Sequence, residues 1–352
     1  KLMNTITNIL KKLSALILVA IVATAAVAQD EEEAPLSISG SVDTYYKYDF
    51  SGYGQRGTWF GEDQNSVSIG MVDIALSHEM GKASFVGEVA FGPRGDGFTS
   101  SGLSSGMSTA VGSVQNLYVS YALTDALSVT GGFMGTFVGY EVISPAANFN
   151  YSASYLFSNG PFQNAGVKLD YAFSDSFALM VGVFSSYWDQ YVADPDFGMD
   201  QIGAQLYVAP LDGWDVYINF ISGSWFSEWD ITTGYQITDA FYLGANIAQN
   251  MEYGGDPDGG FFGFALYPQY AFSDAASVGI RYENWTPEVD GAATISSFTF
   301  SGNLKSGNLT FIPELRIDSA SEDIFFDGDP GDSETSAAGS FTELIFAAVY
   351  SF

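Results

Sequence analysis

Apolar and polar residues alternate one for one along most of this chain. Over 36–50, Leu36, Ile38, Val42, Tyr46, Tyr48 and Phe50 fall on one side of an extended backbone, and Ser37, Ser39, Ser41, Asp43, Lys47 and Asp49 on the other. A period of two held this long predicts a β-strand with one apolar and one polar face. A tilted strand of about 9–11 residues crosses a bilayer, and this segment is longer. The pattern recurs. Val72, Ile74 and Leu76 oppose Asp73; Phe85, Val89 and Phe91 oppose Ser84 and Glu88; Leu117, Val119 and Tyr121 oppose Asn116 and Ser120. Further on, Val167, Leu169 and Tyr171 oppose Lys168 and Asp170, and Val216, Ile218 and Phe220 oppose Asp215 and Asn219. Leu309, Phe311, Leu315 and Ile317 oppose Thr310, Glu314, Arg316 and Asp318. The last segment, GSFTELIFAAVYSF over 339–352, sets Leu344, Phe346, Ala348, Tyr350 and Phe352 on one side. An aromatic strand left at a sheet edge invites aggregation, and pairing it with the first strand removes the edge.

Turns and loops set the architecture. One motif occurs four times, at Tyr121–Asp125, Tyr171–Asp175, Tyr235–Asp239 and Tyr270–Asp274, each ending in Ser-Asp or Thr-Asp. Short polar side chains there can bond nearby backbone and close a tight hairpin. A solenoid would keep a fixed period, whereas successive motif Asp residues lie 50, 64 and 35 positions apart. Long polar segments lie between the turns, at 51–65, 93–112, 138–160, 188–198, 251–260, 286–293 and 319–338, with a shorter one at 225–228. Short turns alternating with longer loops predict an all-β, transmembrane, antiparallel up-and-down β-barrel of about 16 strands. Its short turns would face the periplasm and its longer loops the exterior. Tyrosines just before the turns would form an interfacial aromatic girdle.

The start of the chain reads differently. Lys11 and Lys12 precede an apolar run, Leu13 to Val27, that ends at Ala26-Val27-Ala28. Residues 1–28 are therefore expected to be a cleaved signal peptide, 29–35 an acidic N-terminal tail, and 36–352 the barrel domain. No apolar run after residue 28 approaches the ~20 residues of a membrane helix.

Charge narrows the function classes. The chain has 11 Lys and Arg against 41 Asp and Glu, a formal −30. Loss of Lys1, Lys11 and Lys12 with the leader would leave eight basic residues and a formal −33. Nucleic acid is not an expected partner, because phosphate binding needs basic patches. There is no Cys, so no disulfide framework or thiolate metal site is available. His78 is the single His and lies beside the Gly81-Lys82 turn. It reads as a surface residue, and neither a nucleophile elbow nor a His pair for zinc is present. No enzymatic activity, cofactor or metal is expected.

Residues 150–189, NYSASYLFSNGPFQNAGVKLDYAFSDSFALMVGVFSSYWD, together with Gly40 to Tyr46, GSVDTYY, resemble the beta-barrel porin-2 (OmpL-like) family of outer-membrane proteins. Ala153 stands where that family often carries a basic residue. The resemblance implies a porin-like barrel in the bacterial outer membrane and names no substrate. Phe346, Tyr350 and the final Phe352 also resemble the signal by which such barrels are recognised for assembly, which implies the barrel-assembly machinery, outer-membrane lipid and lipopolysaccharide as partners.

The inward face carries the candidate chemistry. Asp43, Lys47, Glu88, Lys168, Asp170, Arg281, Glu283, Glu314, Arg316 and Glu343 fall on lumen positions and are the candidate pore lining. Acidic and basic neighbours alternate along single strands, which could set a field across a water-filled pore or brace the wall. The 138–162 segment, with Phe149, Tyr151, Tyr155 and Phe157, is too apolar to float in water and is expected to fold inward as a constriction. The acidic segment 318–334 reads as a solvated loop rather than a cation site, since it lacks the Gly and Glu of an EF-hand. Three functions compete: a diffusion channel for small hydrophilic solutes or ions, leaning to cations; a selective channel in which Tyr45, Tyr118, Tyr207, Tyr217 and Tyr267 form a track for a sugar or similar nutrient; and a structural or adhesive surface protein. Whether the chain is a homotrimer or a monomer is open in the sequence.

Overall fold

The computed structural model describes residues 35–53, 57–96, 113–185, 198–253, 259–329, 331 and 335–352. The expected signal peptide, most of the acidic tail, Trp188, Asp189, Asp332 and Glu334 lie outside them. The strands are Ser37–Asp49 (β1), Ser66–Met80 (β2), Ala83–Phe91 (β3), Val114–Ala122 (β4), Leu127–Gly135 (β5) and Gln163–Ser174 (β6). Phe177–Phe184 (β7), Gln201–Leu211 (β8), Trp214–Ser222 (β9), Phe226–Gln236 (β10), Phe241–Tyr253 (β11) and Phe261–Ser273 (β12) follow. Then come Ala276–Pro287 (β13), Ile295–Ser306 (β14), Leu309–Ala320 (β15), Phe325–Asp327 (β16), Ser336–Ala338 (β17) and Ser340–Ser351 (β18). Two α-helical turns, Pro93–Asp96 (α1) and Tyr155–Asn159 (α2), and a 3-10 turn, Pro145–Ala147, interrupt the pattern.

Sixteen strands form one closed antiparallel barrel, each paired with its neighbour in sequence except where β15 pairs directly with β18. Closure joins β18 to β1 in a register running from Ser41↔Ser351 to Asp49↔Glu343. Every barrel strand thus has a partner on both sides, which is what lets a sheet stand in hydrocarbon. At the seam, Gly40 and Phe352 exchange both backbone hydrogen bonds at 3.0 Å. The Phe352 ring lies beside Gly40, where any β-carbon would collide with it and with the Asp73 carbonyl. β16 and β17 form a separate hairpin. The 319–338 segment expected as plain loop therefore contains structure of its own. The loop expected at 225–228 is shorter, because Ser227 and Glu228 already pair with Ser222 and Ile221.

The repeated turn motif closes through its hydroxyls. Thr124 Oγ1 accepts from the amides of Ala126 (3.2 Å) and Leu127 (3.0 Å), and Thr238 Oγ1 from Ala240 (3.3 Å) and Phe241 (3.0 Å). Ser174 and Ser273 accept from Ser176 and Ala275, both at 3.3 Å. The outer face is apolar and exposed, as at Ile38, Leu117, Val119, Phe173, Phe272 and Phe346. The inner face is not uniformly polar. Ile345, Ala347 and Val349 of β18 point inward beside Ile312 of β15 and Tyr45 of β1, and all are buried. The protein's core is therefore inside the barrel, in apolar clusters that run from β7 round to β1.

Candidate functional site

The chain between β5 and β6 enters the lumen, and the wall it meets is built to hold it. Ser154 caps α2, its hydroxyl accepting from the Phe157 amide at 3.0 Å. Glu283 of β13 then accepts from the first two amides of that turn, Tyr155 at 2.8 Å and Leu156 at 2.7 Å. One turn earlier, Glu314 of β15 accepts from the amides of Tyr151 (2.8 Å) and Ser152 (3.0 Å). Two arginines hold the carbonyls between. Arg281 donates to Ser152 O at 2.5 Å and Arg316 to Ala153 O at 2.7 Å. Ion pairs fix these guanidiniums, Arg281 with Glu141 of the insert at 2.7 Å and Arg316 with Asp318 at 2.9 Å. Buried charge is costly unless it is paired and hydrogen-bonded, and each of these groups is.

Phenols complete the attachment. Tyr151 donates to Asp43 at 2.6 Å and Tyr155 to Asp318 at 2.8 Å. Burial pushes both phenols well above their ordinary 10.0, so they stay protonated and remain donors. Arg94 of α1 closes the insert from the other side. It donates to Ile143 O at 3.1 Å and Tyr151 O at 2.9 Å, with its guanidinium over the rings of Phe60 and Tyr151.

The apolar side chains of the insert rest on glycines of the wall. Phe137 sits over Gly203, Tyr140 over Gly244, Phe149 over Gly279 and Leu156 over Gly263. A β-carbon at any of these four positions would strike the side chain that lies there. Inward glycine takes the place of an inward polar residue at each contact, so the insert can approach the backbone closely.

This geometry divides the expected pore lining into two groups. Asp43, Lys47, Arg281, Glu283, Glu314, Arg316 and Glu343 are on the inner face but only 0–2% exposed. They do not border open water, because the insert and neighbouring side chains cover them. Glu88, Lys168 and Asp170 are different. They lie on the opposite wall and are partly exposed inside the barrel. Lys168 and Asp170 are 3.0 Å apart, and Asn116 donates to Glu88 at 2.5 Å. Of the expected constriction residues, Tyr151, Tyr155 and Phe157 are buried in the docked insert, and Phe149 lies over Gly279.

Cavities remain beside the insert. One of about 690 Å³ is lined by Tyr140, Gln205, Asp215, Tyr217, Gln236 and Tyr242. Another of about 660 Å³ shares Tyr140, Gln236 and Tyr242 and adds Asp239, Gln269 and Lys305. A third, of about 250 Å³, lies by Glu88, Asn116 and Gln163. The expected tyrosine track changes accordingly. Tyr45 and Tyr267 are buried, Tyr118 stands apart on β4, and Tyr140 and Tyr242 join Tyr207 and Tyr217. Sequence reading missed Arg94, Glu141, Tyr140 and Tyr242. The signal available was the apolar inner face of β12 and β18, with Ile312 of β15 beside it, which says that something covers that wall. Among the described residues no group of His, Asp or Glu is arranged to hold a metal ion.

Comparison with known proteins agrees with this geometry. The family described as "Putative beta-barrel porin-2, OmpL-like" matches residues 35–352. No curated protein matches the chain. Among solved structures, the anion-selective porin from Comamonas acidovorans superposes with a TM-score of 0.59 at 14% identity, covering 91% of this chain and 100% of that one. The outer-membrane channel DcaP of Acinetobacter baumannii gives 0.57 at 12% identity, covering 93% and 100%. OmpT of Vibrio cholerae gives 0.56 at 13% identity, covering 93% and 100%. At these identities the likeness shows the fold alone.

Proposed function

This chain belongs to the beta-barrel porin-2, OmpL-like family, and from that premise we propose that it is a passive outer-membrane channel for small hydrophilic solutes, with a preference for cations. The observation that carries the reading is a closed 16-strand barrel whose insert occupies one wall and leaves polar cavities beside it. Barrels of this size enclose an aqueous lumen unless something fills it. The insert acts as the constriction.

The cation preference rests on which charges remain near open space. Asp170, Asp215, Asp239 and Glu88 line cavities, whereas among the described residues Lys305 is the one Lys or Arg in these linings and Lys168 is already paired with Asp170. A low-dielectric wall concentrates the field of such carboxylates. Charges farther from the pore than the screening length of about 8 Å at physiological salt contribute little.

Reversal potentials in planar bilayers under a potassium chloride gradient test this. Cation selectivity is expected, weakened by Glu88→Gln and strengthened by Lys168→Gln. Anion selectivity of the wild-type channel would refute the preference, and absence of current would refute the channel. Assembly as a homotrimer belongs to the same reading. The structurally similar OmpT of Vibrio cholerae is described in a trimer form, and light scattering in detergent decides between trimer and monomer here.

A further inference from the structure

On the side of the short turns, tyrosines follow one another around the inner wall from β8 to β12. Tyr207 and Tyr217 are cross-strand partners with ring centroids 5.0 Å apart. On β10 the partner of Tyr217 is Thr232, and the next inward residue toward the turn is Gly234, paired with Asp215 of β9 and Gly244 of β11. The Tyr242 phenol lies over Gly234 and the Tyr140 phenol over Gly244, each where a β-carbon would collide with it. Their hydroxyls meet at 3.0 Å, and Tyr140 stacks on Tyr267 at 4.2 Å and 18°. The two glycines thus let the phenols lie down along the wall rather than stand out into the lumen. Planar amides alternate with these rings. Gln205, Gln236 and Gln269 on β8, β10 and β12 line the two largest of these cavities, together with Asp215 and Asp239.

We infer that this band is a binding site for a neutral, polyhydroxylated solute of mono- or disaccharide size. The inference rests on the channel reading above and names a solute class for it. A phenol lying along the wall offers a flat apolar surface to the C–H face of a sugar ring. Amides present both a donor and an acceptor, and carboxylates accept two bonds, which suits adjacent hydroxyl groups. Among the described residues the 690 Å³ cavity has Asp215 and no Lys or Arg in its lining, which disfavours an anionic solute. Rings laid in a row do not converge on one point, as a cage for an ammonium group must.

Ionic current through the full chain in planar bilayers, with maltose added on the turn side, tests the site. Current is expected to fall saturably with maltose. Tyr217→Ala is expected to raise the half-blocking concentration about five- to tenfold, with Tyr217→Phe close to wild type. Tyr118→Ala, outside the band, should leave block unchanged. Maltose-free conductance reports whether each variant has folded, and Tyr207→Ala is the second truncation if Tyr217→Ala does not insert. A fall that only follows bulk viscosity, equal block in Tyr217→Ala, or block by choline without block by maltose would overturn the site. Current without block removes the sugar site alone; no current under any condition removes the channel reading as well.

Discussion

Glu283 and Glu314 each hold two successive amides of the insert, and this double acceptance is what makes them positioning residues. Glu283→Ala leaves two buried donors without an acceptor, at about 1–3 kcal/mol each. Glu283→Gln keeps one carbonyl oxygen and should cost less. Greater current noise and faster proteolysis within 138–162 are expected in the alanine variant, and an unchanged, quiet conductance would contradict the role. Gly279 tests the same contact from the wall. Gly279→Val places a side chain where Phe149 lies. Overpacking of this kind costs about 1–3 kcal/mol. The strain is relieved if the insert lifts, so single-channel conductance is expected to rise while the barrel still forms.

Elements divide into those that make the barrel and one that fills it. The turn hydroxyls belong to the first group. Thr124→Ala and Thr238→Ala each remove a side-chain acceptor at an exposed turn and should lower stability by ~1 kcal/mol or less, read as the urea midpoint. Conductance should not change. The insert belongs to the second group. Deleting 146–158 removes Phe149, Tyr151, Tyr155 and the capped turn, and exposes Arg281, Glu283, Glu314 and Arg316 to the lumen. Conductance is expected to increase several-fold. The same conductance as wild type would show that the insert is not the constriction.

At the scale of the whole molecule, the insert and the barrel are coupled through two buried phenols. Burial raises the phenols of Tyr151 and Tyr155 in the folded state above the ordinary 10.0. Stability gained from a group whose folded value is raised is fully present below the unfolded value and is lost as pH climbs through the folded one. Docking of the insert should therefore be insensitive to these phenols below pH 10 and weaken above it. Phenolate absorbance and conductance should change together in that range, and a Tyr151→Phe, Tyr155→Phe double variant should lose the coupled step. A phenolate signal with no change in conductance would separate the two.

The alternation of residues determined by itself that this chain is a closed barrel, because a period of two assigns every side chain to one face and the turn motifs place the hairpins. The terminal strand shows both the reach and the limit of that reading. Phe346, Tyr350 and Phe352 are on the lipid side, as the alternation implies, and the strand pairs with β1. Yet Ile345, Ala347 and Val349 on its other face are equally apolar, and in an open pore they would face water. Only the tertiary structure explains them, because a segment nearly two hundred residues away in sequence lies against them. The charges follow the same division. Spacing placed Arg281, Glu283, Glu314 and Arg316 inside the barrel, but whether they meet water or backbone depends on where 138–162 docks. That was decided by long-range fit: two carboxylates aimed at two pairs of amides, two guanidiniums at the carbonyls between, and glycines beneath four of the apolar knobs.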